Sequence, residues 1–135
     1  MVARTRWIAL GGVAMLVAIV FATLMPAGWQ VRLGLHWLVE HFLAYFAVTA
    51  IFCLAWPRPM AVAAVLIPFA LLLEALQGLT PDRMADFPTA LSAATGVAVA
   101  ALLADLAIWL RKRELARRPG RKPGGSGPLA RLEQM

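Results

Sequence analysis

The chain has 135 residues, 61% of them hydrophobic and 15% charged, with a formal net charge of +6. So few polar side chains cannot cover a globule in water, and the composition excludes a soluble domain and points to a lipid bilayer. Eight of the 13 basic residues (Arg111, Lys112, Arg113, Arg117, Arg118, Arg121, Lys122 and Arg131) fall in the last 25 positions. That tail has no aromatic residue to stack on bases, which argues against nucleic acid as a partner.

The first apolar run, Trp7 to Met25, has 19 residues. At 1.5 Å per residue it covers the roughly 30 Å hydrocarbon core. Arg4 and Arg6 precede it as they would a signal peptide, but the run is long for one and Met25-Pro26-Ala27-Gly28-Trp29 makes a poor cleavage site, so a retained anchor is expected. A second run, from about His36 to Trp56, is closed by Trp56-Pro57-Arg58-Pro59, where two prolines stop the helix. The third extends from Met60 to Leu79 and ends at Thr80-Pro81-Asp82; it contains Pro68, which removes the bond to the Ala64 carbonyl and favours a kink. The fourth starts near Pro88 and ends at Leu110, before Arg111-Lys112-Arg113. The expectation is an all-α, four-helix transmembrane bundle over residues 1–110. A basic tail, 111–135, rich in Pro and Gly, has too little apolar surface to offset chain entropy and is expected to be disordered.

Lys and Arg are retained on the cytoplasmic side, and placing both termini there leaves only Arg32 and Arg83 outside. The expected location is the cell inner (plasma) membrane, multi-pass, with cytoplasmic termini. Trp7, Trp29, Trp56 and Trp109 lie at span ends, where indoles prefer the headgroup level. The tail then reads as a topological signal or as an attraction to anionic headgroups. Ser92, Gly96, Ala100 and Ala104 recur every four residues, a smooth face suited to close packing within the bundle or to a homo-oligomer. Asp105, one turn from the inner end, is expected to approach Arg111 or its neighbours.

Ionisable residues inside spans are costly in lipid and mark function or packing. His36, Glu40, His41 and Tyr45 lie in the outer part of the second span. Glu74 and Gln77, three apart, share a face at the outer end of the third. The loop that follows carries Asp82, Arg83 and Asp86. Three segments thus bring carboxylates, imidazoles, an amide and a guanidinium to one depth. Within this cluster Glu74 is expected to be ion-paired, with His41 or Arg83 as partner. No metal or cofactor is expected: adjacent Glu40 and His41 diverge on a helix, and the single cysteine, Cys53, excludes a multi-cysteine site.

These residues resemble the VanZ-like family of small membrane proteins over roughly residues 15–105. His41-Phe42 with Tyr45 match an aromatic-rich start of one span, and Glu74, Gln77, Pro81, Arg83 and Gly96 match a Glu-x-x-Gln, a loop Pro and Arg, and a glycine in the last span. The sequence departs from the family at Thr89, where a loop aspartate is usual, at Ala93 in place of an Asn-like residue, and at Trp37-Leu38 in place of Asp-Lys; Asp86 matches a less regular acidic position. The resemblance implies an envelope-associated, antibiotic-resistance-related type of membrane protein.

Three readings of the cluster remain open. It is an interhelical clamp; or it binds an anionic lipid or lipid-linked glycan headgroup, Arg83 holding phosphate and Glu74 with Gln77 holding hydroxyls; or His41 or Glu74 acts as general base on a phosphoester or acyl bond. The third lacks an identifiable set of nucleophile, base and orienting group, so the reading leans away from an enzyme. Glu74, Gln77, Arg83, His41, Asp86 and Tyr45 are the candidate binding residues.

Overall fold

The computed structural model describes residues 2–25, 34–79 and 86–117. They form four α-helices and, among the described residues, no strand: α1 (Val2–Leu24), α2 (Trp37–Ala55), α3 (Pro59–Gln77) and α4 (Phe87–Arg117). All four are long and apolar enough to cross a membrane. The tail beyond Arg117, the Trp29 region and Arg83 lie outside the described residues.

Helix ends fall where the local chemistry places them. α1 stops just before Pro26. Pro59 occupies the first position of α3, where its missing N–H has no intrahelical role. Pro68 sits inside α3, on an exposed side, and the helix continues through it to Gln77. α4 departs from expectation. It runs on through Arg111-Lys112-Arg113 to Arg117, about two turns past Leu110, so residues 111–117, expected to be disordered, are helical. Arg, Lys, Glu, Leu and Ala are strong helix formers, and nothing interrupts them before Pro119. At 31 residues α4 is about 46 Å long, well beyond a roughly 30 Å core, so its basic end projects from the span. There Arg113 turns back over the Trp109 ring, 4.3 Å from its centroid, while Asp105 is exposed one turn earlier.

The bundle runs up-down-up-down. α4 is its centre, with α2 and α3 packed on it, α1 lying mainly against α2, and only slight contact between α1 and α3. The core is built from Tyr45 and Val48 of α2, Ala63, Leu66 and Ala70 of α3, and Ala93, Val97 and Ala101 of α4. These recur at three- and four-residue intervals, the helical period that aligns a face. Small residues dominate because helices in lipid gain stability from close backbone approach. The Ser92, Gly96, Ala100 and Ala104 face serves this purpose within the bundle: Ser92 Oγ donates to the Leu38 carbonyl, and Gly96 packs on the backbone of Phe42 and Phe46. α2 therefore occupies the face that also suited a second copy of the chain. Gly12 lets α1 approach α2 similarly; a Cβ there would meet Ile51 and Phe52 at 3.2 Å.

Candidate functional site

Alternating helix directions bring the start of α2, the end of α3, the start of α4 and the end of α1 to one end of the bundle. Glu74 lies about one turn inside the end of α3 and is 8% exposed. Its Oε1 accepts the backbone N–H of Asp86 at 3.0 Å. Asp86 is the residue before α4, and its carbonyl accepts from Ala90 N at 3.1 Å, the first bond of that helix. Glu74 thus satisfies a donor at the start of α4, where amides lack intrahelical partners and where a negative charge is stabilised by the helix dipole.

Asp86 continues the chain of contacts. Its Oδ2 accepts the Thr89 hydroxyl at 2.7 Å, and Thr89 Oγ1 accepts the Trp37 indole N–H at 3.1 Å. This ties the start of α4 to the start of α2. Gln77, 5% exposed, donates from Nε2 to the Thr23 carbonyl at 2.9 Å and so ties α3 to α1. In hydrocarbon an unmatched polar group has no water to turn to, which is why each of these side chains finds a protein partner.

The structure joins Glu74 to Asp86 and adds Thr89 and Trp37 to them, while Gln77, one turn further along α3, holds the Thr23 carbonyl. Asp86 accepts the Thr89 hydroxyl, and their separation of three across a helix start was the available signal. Trp37 carries no local signal of this kind, because its partner lies 52 residues away. Tyr45 is nearly fully buried in the core. The ion pair expected between Glu74 and His41 does not form. His41 Nδ1 instead meets the Trp37 carbonyl of its own helix at 2.8 Å, while Glu74 holds an amide. His36 precedes α2, stacks on Trp37 with ring centroids 4.1 Å apart and is exposed, and Glu40 Oε1 accepts the Leu35 N–H at 3.2 Å. His36, Glu40 and Tyr45 therefore do not converge. Arg83, the other expected partner of Glu74, lies outside the described residues.

Replacing Thr89 by valine keeps the shape and removes both hydrogen bonds, leaving the Trp37 N–H and Asp86 without that partner. The expected cost is about 1–2 kcal/mol, read as an earlier denaturation midpoint in detergent. Adding Trp37→Phe to Thr89→Val should then cost much less than Trp37→Phe alone, because the two share one bond; additive effects would show that the bond is not formed in solution.

Fold and site together define a four-span helical membrane protein with a hydrogen-bonded polar network closing one end. Comparison with protein-family models, curated proteins and solved structures yields no match for this chain.

Proposed function

We propose that this chain is a non-catalytic, envelope-associated accessory protein of the VanZ-like type, seated in the plasma membrane with both termini cytoplasmic. Its polar end faces outward and holds the headgroup of an anionic lipid or lipid-linked glycan. One observation carries this reading: the carboxylates of Glu74 and Asp86 both lie at the start of α4, Glu74 Oε1 on the Asp86 N–H and Asp86 Oδ2 on the Thr89 hydroxyl. A carboxylate has about four acceptor sites, so the pair presents acceptors suited to several hydroxyls of a sugar or glycerol. Arg83, three residues before Asp86 in the chain, supplies the charge for the phosphate. The orientation rests on the basic residues: Arg4, Arg6, Arg58 and Arg111 all lie at the opposite end of the bundle.

Native mass spectrometry of the full chain in detergent, wild type beside Glu74→Gln and Arg83→Ala, tests the reading. The expected result is a co-purified lipid or lipid-linked glycan on the wild type, reduced about tenfold in both variants while both remain folded. Retention by the wild type of nothing beyond what all three proteins hold equally would reject the headgroup site and leave the network as a packing clamp.

A further inference from the structure

A second feature lies at the other end of the molecule, about 24 Å along α3 from Glu74 at 1.5 Å per residue. Where α1 and α3 barely touch, a groove of about 360 Å³ opens between α1, α2 and α3. Its walls are Leu16, Phe52, Val62 and Leu66, and its rim carries Trp56 and Arg58. The volume falls within the roughly 300–1,000 Å³ typical of small-ligand sites. The lining is almost wholly apolar, and the single charge is placed at the mouth.

Sequence and local structure fix the backbone that carries that charge. Arg58 lies between Pro57 and Pro59, and its N–H donates to the Trp56 carbonyl at 2.7 Å in a tight turn. Phe52 and Trp56 stack with planes 12° apart and centroids separated by 6.4 Å, forming one wall up to the rim. Trp56 and Arg58 are both exposed, at the span end where indoles and guanidinium groups meet phospholipid headgroups. An apolar trough opening sideways into lipid, capped by one cation at headgroup depth, matches an amphiphile with a hydrocarbon chain and a negative head.

We propose that this groove receives one acyl chain of an anionic phospholipid from the surrounding leaflet, with the lipid phosphate on Arg58. The site is separate from the headgroup site at the Glu74 end and does not depend on it. The bound chain fills the gap that weak α1–α3 packing leaves, so the lipid acts as part of the bundle.

The test uses the full chain in vesicles containing phosphatidylglycerol or phosphatidylcholine with a diazirine at mid-chain, and maps adducts after irradiation. Phosphatidylglycerol adducts are expected to concentrate on Leu16, Phe52 and Val62 over freely exposed Leu54 and Leu102. Arg58→Gln should lower this groove labelling about fivefold, the effect of one basic residue at the headgroup level, and leave phosphatidylcholine labelling unchanged. Ala61→Trp, which fills the groove, should lower both; Val65→Trp, at its exposed edge, serves the same purpose should Ala61→Trp fail to fold. Glu74→Gln should change neither. Adducts spread evenly over the lipid-facing leucines, or groove labelling insensitive to Arg58→Gln and to the filling substitutions, would overturn the proposal.

Discussion

Gly96→Leu is expected to abolish the folded bundle, and Gly96→Ala to destabilise it by about 1–3 kcal/mol. A Cβ at position 96 would overlap the Phe42 carbonyl oxygen and lie 3.2 Å from Phe46 N. Both neighbours are backbone, so no side-chain rotation relieves the contact; α2 and α4 would have to separate along the most extensive interface of the bundle. The sign is diagnostic, because alanine in place of a helical glycine otherwise stabilises by about 0.5–1 kcal/mol. Gly11→Ala supplies the contrast: nothing lies within 4 Å of a Cβ there, and the substitution should be neutral or stabilising. Denaturation in detergent with added SDS, followed by circular dichroism, measures both. A Gly96→Ala protein as stable as the wild type would mean that α2 and α4 do not approach this closely.

The second large effect is expected at Glu74. Glu74→Ala removes the acceptor of the Asp86 N–H and should cost about 1–3 kcal/mol, the penalty for leaving a buried donor unmatched. Glu74→Gln keeps a carbonyl oxygen at the same reach and should lose less, on the order of 1 kcal/mol or below, part of it the favourable charge at the start of α4. Hydrogen exchange resolves the two contributions. In Glu74→Ala the Asp86 and Phe87 amides should exchange markedly faster, and in Glu74→Gln they should stay close to wild type. Equal loss in both variants would mean that charge, rather than the accepted hydrogen bond, holds the start of α4. The same pair of variants separates packing from binding, since only a ligand site makes Glu74→Gln deficient at intact stability.

Thr89 lies buried between Asp86 and Trp37. The hydroxyl has no charge to bury and can both donate and accept, so it bridges a carboxylate on its own helix to an indole on another. The network therefore crosses α2, α3 and α4, and one turn beyond Glu74 the Gln77 amide ties α3 to α1. In a bundle held largely by small residues, such bonds define the axial register that smooth faces alone leave slack.

The number of helices, their approximate limits and the gathering of polar residues at one end were legible in the sequence. Hydropathy, prolines and charge act over a few neighbouring residues, and alternating spans then dictate which ends meet. The same local rules misplaced the end of α4: basic residues after Leu110 marked the end of the apolar run, whereas helix propensity carried the backbone on to Arg117. Side-chain partners were decided only by tertiary structure. Whether Glu74 meets His41 or the Asp86 amide depends on how far each helix is rotated about its axis. That rotation is set by Gly96 against Phe42, by the burial of Tyr45 and by the fit of Ala93 and Val97, contacts between residues far apart in the chain. The groove beside Arg58 has the same origin. It exists because α1 packs on α2 and barely on α3, a choice of neighbour that small-residue spacing along the apolar helices does not reveal.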